Sequence, residues 1–356
     1  MSRSFCANEK GVTLFLVLWI LVLLSVMAGE FCRTIRTEVN MTYDFSSRTK
    51  AYYAAYAGIQ EGIEWVVTSS AKVAQKVHLK LNPEDEEQAP WRINTELPPV
   101  AFGEDCSYLL RIDNESGKID INRADAGTLR MLLSIFDLDD SDRDVIVDSI
   151  LDWRDKDNLH RLNGAEDDYY RSLPEPYECK DGDFDTVQEL LLVRGVTPEI
   201  FYGGLKDMVT VFGGSEAEKK KGKKGVNKIN LNAASPQVLK ALPLMDDEAV
   251  NEIMEFRREE DFTSLSQLAP LIGGEKYKAV ARYLTLDSGP YYTLSCTGLS
   301  QAGAVRQSIQ AVVLLDPTAP ERYRILRWND LADQPAPLPK RKLLEILRDV
   351  VEKEGY

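Results

Sequence analysis

The chain begins with a short polar leader followed by one long uncharged stretch. Residues 12–29 carry no charged side chain. As a helix they would be roughly 27 Å long, close to the thickness of the hydrocarbon core of a bilayer. Arg33, Arg36 and Glu38 continue the helical pattern, so the second half of this helix is amphipathic. No small-residue cleavage site closes the apolar stretch, which argues against an ordinary secretory signal peptide. The pattern alone favours a single-pass anchor.

Beyond the anchor, alternating apolar and polar positions predict strands. Five segments have this pattern: residues 108–113, 118–121, 291–297, 304–315 and 323–328. The first two are predicted to form one hairpin and the next two a second hairpin. An antiparallel sheet of this kind has one face to cover, and the amphipathic half of the first helix is the natural cover. The side chains expected to face the sheet are Tyr53, Ile59, Ile63 and Val66.

A repeat lies between the two predicted hairpins. Three pairs of blocks match in the same order: residues 118–125 and 228–235, 147–154 and 250–257, and 184–190 and 262–268. Asp125 and Ser235 are placed to cap the helices that follow them. We therefore predict two related bundles of short helices. These bundles resemble SAM-like, or helix-hairpin-helix, modules.

Charge limits what these modules can bind. The formal net charge of the chain is −14, which repels nucleic acid phosphates. The basic run at residues 219–224 lies in a polar stretch between the copies and is interpreted as a solvated linker. Gly273 and Gly274 resemble the remnant of a phosphate-binding hairpin, so DNA binding stays open as an alternative.

The start of the chain carries a more specific signal. Residues 10–16, Lys-Gly-Val-Thr-Leu-Phe-Leu, resemble the processing site of type IV prepilins and type II secretion pseudopilins. The resemblance implies cleavage by the prepilin peptidase between Gly11 and Val12, with methylation of Val12. Most of these proteins have glutamate at the fifth mature position, where it neutralises the terminal ammonium of a neighbouring subunit. This chain has Leu16 there, which suits a first subunit and resembles the K family of minor pseudopilins.

The resemblance implies an α+β fold. A pilin-like N-terminal transmembrane helix packs on an antiparallel sheet, and a large all-α insertion holds the duplicated modules. The predicted parts are a leader (1–11), the helix (12–67, membrane span 12–29), a pilin-like domain (68–122 and 287–328), the insertion (123–286, modules 118–212 and 226–286, linker 213–225) and a C-terminal extension (329–356).

The resemblance also implies a function that is not enzymatic. A K-type subunit caps the tip of the type II secretion pseudopilus, initiates its assembly and supports protein export across the outer membrane. Implied partners are the smaller I- and J-type minor pseudopilins, the major pseudopilin, the prepilin peptidase and the secreted substrate. The implied location is the inner membrane, crossed once, with the soluble part in the periplasm. The alternative is a type IV pilus or competence-type tip pilin that binds DNA through its helical modules.

One acidic stretch is a candidate metal site. Oxygen ligands on a flexible loop suit calcium, and residues 152–170 resemble an acidic segment of the K family, which binds calcium. The implied ligands are Asp155, Asp157, Glu166, Asp167 and Asp168. The alternative is a solvated acidic loop. Residues 181–185 resemble the start of an EF-hand loop, and we interpret them as a helix cap or as a further ligand of the same site.

The soluble part has three cysteines: Cys106, Cys179 and Cys296. The chain has no Cys-x-x-Cys pair and two histidines, a pattern that does not favour a zinc site. In an oxidising periplasm, Cys106 and Cys296 are the predicted disulfide because both lie in predicted strands. Free buried thiols are the alternative.

Overall fold

The computed structural model describes residues 9–78, 93, 99–213, 228–300 and 305–330, with side chains of the first helix described for 13–69. The predicted linker 213–225, with its basic run, and the extension 329–356 lie almost wholly outside these residues.

The described strands are β1 (Val100–Phe102), β2 (Cys106–Asn114), β3 (Ile119–Asp120), β4 (Val209–Thr210), β5 (Ile229–Asn230), β6 (Leu284–Thr285), β7 (Tyr291–Ser300), β8 (Val305–Leu315) and β9 (Tyr323–Asp330). The described α-helices are α1 (Glu9–His78), α2 (Ala126–Leu133), α3 (Asp140–Arg154), α4 (Asp167–Arg171), α5 (Pro198–Ile200), α6 (Lys206–Met208), α7 (Pro236–Ala241), α8 (Asp247–Glu259), α9 (Leu268–Ile272) and α10 (Gly274–Val280).

Helix α1 has two parts with different surroundings. From Thr13 it contains a stretch long and apolar enough to cross a membrane, and none of that stretch is buried in the protein. Its C-terminal half packs on the sheet through small and branched side chains, and Ile59, Ile63 and Val66 are buried there as predicted. Tyr53 is 58% exposed, so its predicted orientation toward the sheet is wrong.

The sheet is antiparallel, five-stranded and ordered β1-β2-β7-β8-β9. Strands β7 and β8 pair as predicted. Strand β2 pairs with β7, not with residues 118–121, so the first predicted hairpin is wrong. Asn114 instead caps a short 3-10 turn, Glu115–Gly117, by accepting the Ser116 N–H at 3.0 Å. This turn directs the chain away from the sheet and into the helical insertion.

The two copies of the repeat share the order of their main elements and several hydrogen bonds, and the first copy has α4 in addition. In each copy the first strand pairs in parallel with the last one, β3 with β4 and β5 with β6. In each copy an arginine near the end of the long helix donates a hydrogen bond to a backbone carbonyl, with an N···O distance of 2.6 Å. Arg154 donates to Ala124, and Arg257 donates to Ala234. The buried side chains of both copies form one hydrophobic core, separate from the core between α1 and the sheet.

The register of β2 and β7 separates the two strand cysteines. Cys106 lies opposite Ser300, and Cys296 lies opposite Leu110. This offset of four residues corresponds to about 13 Å along the strands, whereas disulfide Cα atoms are at most about 7 Å apart. Both thiols are free. The predicted Cys106–Cys296 disulfide is therefore wrong.

Candidate cation site

The two copies of the repeat differ in the connection that follows the long helix. In the first copy, residues 155–183, here called the long connection, lie between Arg154 and Phe184. In the second copy only residues 258–261 separate Arg257 from Phe262. The acidic stretch identified in the sequence occupies the long connection.

Glu166 is the centre of this acidic stretch. It is the N-cap residue of α4, yet its side chain makes no capping hydrogen bond. The residue is 1% exposed, and neither carboxylate oxygen has a hydrogen-bond partner. Burial raises the pKa of Glu166 to about 7; the Cys179 thiol beside it opposes the rise, and the negative charges of Asp152, Asp155 and Asp181 add to it. A buried carboxylate with so few donors is costly when ionised, so its charge has to be neutralised, either by a proton or by a cation.

Cys179 and Asp181 approach Glu166 from the other end of the long connection. One carboxylate oxygen each of Glu166 and Asp181 and the Sγ atom of Cys179 all lie within 4.8 Å of one another. Asp181 Oδ1 is also buried without a hydrogen-bond partner. The φ of Asp181 is 53°, in the left-handed region that aspartate tolerates better than most residues. Burial raises the pKa of Cys179 to about 12, so its thiol is neutral at physiological pH.

Asp152 and Asp155 add negative charge and share one arginine. Arg161 Nη1 pairs with Asp152 and lies 2.6 Å from Asp155 Oδ2. The Arg161 backbone N–H also donates to Asp152 Oδ2 at 3.1 Å. Asp155 Oδ1 stays buried without a partner. Burial raises the pKa of Asp152, although its contacts with Arg161 oppose the rise. Arg161 therefore balances only part of the negative charge here.

The five predicted ligands differ in burial and in their hydrogen-bond partners. Glu166 belongs to the close group with Cys179 and Asp181, whereas Asp155 keeps one unpartnered oxygen and acts on Glu166 through its charge. Asp157 and Asp168 are exposed and accept hydrogen bonds from nearby backbone N–H groups. Asp167 accepts the Cys179 N–H at 2.8 Å and pairs with Arg171 at 2.9 Å. Asp157, Asp167 and Asp168 are therefore not part of the cluster that the described residues form.

Two members of the cluster lie outside the predicted ligand set. Asp181 was indicated only as a further ligand, through the resemblance of residues 181–185 to an EF-hand loop. In that segment Asp183 is exposed and Asp185 pairs with Lys180 at 2.7 Å, so only Asp181 faces Glu166. Cys179 was not predicted, because its position becomes meaningful only when the long connection folds back on α4.

The processing site lies in the first part of α1. Gly11 and Val12 are helical, and their side chains are outside the described ones. Leu16 is 55% exposed on the apolar stretch. Cleavage, methylation and the role of Leu16 stay predictions.

Comparisons with known proteins agree with this architecture. Residues 109–214 match the sequence model of the family described as type II secretion system protein K. Protein K of Aeromonas hydrophila is 24% identical over 205 residues, which cover 55% of this chain and 62% of that protein. Protein K of Pectobacterium carotovorum subsp. carotovorum is 32% identical over 90 residues, covering 25% and 27% respectively. The chain thus spans less than two thirds of the length of these curated relatives.

A solved structure shares the fold. A chain of the crystal structure of the GspK-GspI-GspJ complex from enterotoxigenic Escherichia coli superposes with a TM-score of 0.52 at 14% identity. The match covers 83% of this chain and 99% of that one. The protein has a long apolar helix that continues onto an antiparallel sheet, with a helical insertion. The predicted resemblance to protein K of the type II secretion system is confirmed, and residues 109–214 match the model of that family.

Proposed function

We propose that this protein is a minor pseudopilin that caps the tip of the type II secretion pseudopilus and initiates its assembly. The observation that carries the proposal is the division of α1. One half is an exposed apolar segment of membrane-spanning length, and the other half is buried against the sheet. Such a helix can anchor the subunit in the inner membrane and later pack with other helices in a filament. The sheet and the insertion would then lie in the periplasm.

The exposed face of α1 favours helical partners. Large apolar side chains continue beyond the membrane-length stretch, and each is at least 41% exposed: Phe31, Ile35, Val39, Met41 and Phe45. An exposed apolar patch on one helix is a surface for another helix. The related solved structure is a complex of GspK with GspI and GspJ. We propose that this chain likewise binds two smaller minor pseudopilins and contacts the major pseudopilin below them.

Two features favour a place at the tip. The insertion leaves the sheet after Asn114 and returns at Tyr291, and its bulk would obstruct lateral packing inside a filament. Leu16 replaces the glutamate that would pair with the N-terminus of a neighbour. A subunit with both features fits best where no further subunit packs above it. The proposed site of action also brings the protein close to secreted substrates.

Co-purification with the smaller minor pseudopilins tests the helical interface. We expect Phe45→Glu to abolish their co-extraction with the full chain and to stop secretion, because a charge replaces a side chain that is 73% exposed on the apolar face. Asp44→Asn, a change at the adjacent exposed polar residue, is the matched control and leaves both unchanged. Retention of the partners by Phe45→Glu would overturn the proposed interface, and gold labelling along the filament instead of at one end would overturn the tip position.

The mature N-terminus tests processing by the prepilin peptidase. Mass spectrometry of the protein from a host with the peptidase is expected to show a methylated chain beginning at Val12. Gly11→Leu is expected to leave the leader attached, and Leu16→Glu to be cleaved normally. A different first residue in the unaltered protein would overturn the proposed processing.

We also propose that the acidic cluster binds calcium as a structural cation. Asp155, Glu166 and Asp181 each offer at least one buried oxygen without a hydrogen-bond partner, and carboxylate oxygens are ligands that calcium prefers. Calorimetric titration of the detergent-solubilised full chain is expected to give binding that Glu166→Gln removes. Asp168→Asn, at an exposed carboxylate, is the control. Absence of binding by the unaltered protein would end this proposal.

The contacts around Gly273 do not favour the DNA-binding alternative. A phosphate-binding hairpin needs positive potential beside its glycines. Lys276 pairs with Asp246 at 2.6 Å, and Glu275 follows Gly274. We therefore do not propose that this protein binds nucleic acid, and the resemblance of the bundles to SAM-like modules stays a prediction.

A further inference from the structure

Cys179 gives the candidate cation site a donor that calcium does not use. We propose that the site also binds a thiophilic divalent cation such as Zn²⁺ or Cd²⁺, with Cys179 Sγ, Glu166 and Asp181 as ligands, in competition with calcium. This inference rests on the proposed cation site and specifies which cations it accepts.

The donor set suits a four-coordinate cation. Calcium takes six to eight ligands, all oxygen. Zinc binds thiolate sulfur and carboxylate oxygen in tetrahedral sites, in which three protein ligands and one open position are common. Here one sulfur and two carboxylate oxygens lie within 4.8 Å of one another. Three mixed donors at this spacing therefore also suit a small thiophilic cation, which needs fewer ligands than calcium does.

Burial distinguishes this cluster from a chance group of surface acids. Glu166 is 1% exposed and Cys179 is 8% exposed. Both oxygens of Glu166 and Oδ1 of Asp181 make no conventional hydrogen bond, and the donor beside Glu166 is the Cys179 thiol, itself a proposed ligand. These oxygens are therefore available to a cation, and their burial would make the cation difficult to remove.

Asp167 positions the sulfur ligand instead of binding the cation. Its Oδ1 atom accepts the Cys179 backbone N–H at 2.8 Å, and its Oδ2 atom is held by Arg171 at 2.9 Å. Outer contacts of this kind fix the orientation of metal ligands. The rings of Trp153 and Tyr170, 5.2 Å apart, belong to the same buried core as Cys179.

Coordination requires the thiolate form of Cys179. When a divalent cation binds, the S–H bond breaks, a sulfur–metal bond forms and the proton leaves to solvent. The protein releases the thiol proton and gains a doubly charged cation, and no electron is transferred. The sequence gives no zinc signal because the ligands are supplied by the two ends of a folded loop.

Cadmium is the probe, because a cadmium–thiolate bond gives an ultraviolet charge-transfer band. The experiment uses the detergent-solubilised full chain with Cys6, Cys32 and Cys106 replaced by serine. We expect one equivalent of Cd²⁺ to saturate the band and excess calcium to reverse it. Cys179→Ser is expected to abolish the band and to weaken Cd²⁺ binding by more than the roughly 10- to 100-fold typical of losing an outer-sphere contact. Cys296→Ser, a change at a thiol buried in the other core, is the matched control and keeps the band.

The outcomes separate this inference from the calcium proposal. Calcium binding without a cadmium band, or a band that survives in Cys179→Ser, overturns the role of the thiol and leaves the calcium site standing. Failure of both cations to bind overturns both proposals. Circular dichroism of Cys179→Ser and Cys179→Ala checks folding, and at least one folded variant without the band is required to support the inference.

Discussion

Asn122 and Phe184 exchange two hydrogen bonds across the base of the long connection. The Asn122 side-chain amide donates to the Phe184 carbonyl at 3.0 Å, and the Phe184 N–H donates to Asn122 Oδ1 at 2.8 Å. Asn232 and Phe262 make the same pair of bonds in the second copy, both at 2.9 Å. We call each pair an Asn–Phe clamp. Each clamp joins the turn before the first helix of its copy to the first residue after the connection.

Removing one clamp is expected to loosen one copy only. Asn122→Ala leaves the Phe184 N–H and carbonyl without these partners, at a cost of about 1–3 kcal/mol. Hydrogen exchange is expected to accelerate at the Phe184 amide and to stay unchanged at Phe262. Asn232→Ala is the reciprocal control, with the opposite pattern. Unchanged protection of Phe184 in Asn122→Ala would show that the clamp does not stabilise the connection.

The close approach of α1 to β7 predicts a specific intolerance at Gly298. A Cβ atom there would lie 1.8 Å from the Ala51 carbonyl oxygen, so the helix would have to move from the sheet. We expect Gly298→Ala to lower the free energy of unfolding of this half by about 1–3 kcal/mol. Gly127→Ala is the control, because in α2 the added methyl meets only Asp125 Oδ1, at 3.6 Å, and alanine favours the helix. Equal unfolding midpoints for the two variants in denaturant titrations would contradict the prediction.

Glu115 makes stability sensitive to acid. It is 3% exposed, lies 2.7 Å from Lys118 Nζ and accepts the Thr293 hydroxyl at 2.6 Å. Burial by itself raises its pKa, but the Lys118 charge and hydrogen bonds from Lys118, Thr210 and Thr293 outweigh burial, so the pKa is lowered. The ionised carboxylate is therefore the form that the folded protein favours.

Because the pKa of Glu115 is lower in the folded state, its contribution is fully present above the unfolded-state value of about 4.3 and is lost as pH falls through the folded-state value. Glu115→Gln is expected to cost about 3 kcal/mol at neutral pH, since it leaves Lys118 without its partner. The variant should also unfold with a weaker dependence on acidic pH. Denaturant titrations across this range provide the measurement, with the exposed Glu104→Gln as control, and parallel pH profiles would contradict the prediction.

The cysteines are expected to react with an alkylating reagent in an order set by burial. Cys32 is exposed, Cys106 is partly buried and Cys296 is 1% exposed. Burial also raises the pKa of Cys296 to about 12, which suppresses the reactive thiolate. Mass spectrometry should therefore find Cys32 and Cys106 modified in the folded chain without reductant, and Cys296 only after unfolding. If Cys106 reacted only after a reductant was added, Cys106 would be in a disulfide and the free thiol described here would be wrong.

Sequence patterns predicted the local elements better than their partners. Residues 108–113 are extended as predicted and residues 119–120 form the short strand β3, but the sheet partner of β2 is β7, which follows about 180 residues later. A turn-like segment such as Asn114–Gly117 favours a hairpin locally, whereas pairing is decided by burial of Tyr108, Leu110 and Ile112 against α1. The second hairpin was predictable because its two strands adjoin each other in the chain.

The cation site shows the same limit. The run of acidic residues around Glu166 is visible in the sequence, and the structure finds buried carboxylates within it. Which of these carboxylates are buried and which are exposed was not visible. That division depends on how residues 172–181 fold back onto α4, and only this return brings Cys179 and Asp181 beside Glu166.

Each Asn–Phe clamp holds the same two points of its copy together, although the number of residues between these points differs between the copies. One clamp joins residues 62 positions apart and the other joins residues 30 positions apart, and the difference lies mostly in the connections 155–183 and 258–261. The short connection is therefore a permissive position for grafting foreign sequence. A peptide tag inserted there would begin and end beside a closed base, as the long connection does in the first copy, and would give a labelled subunit for following assembly in cells.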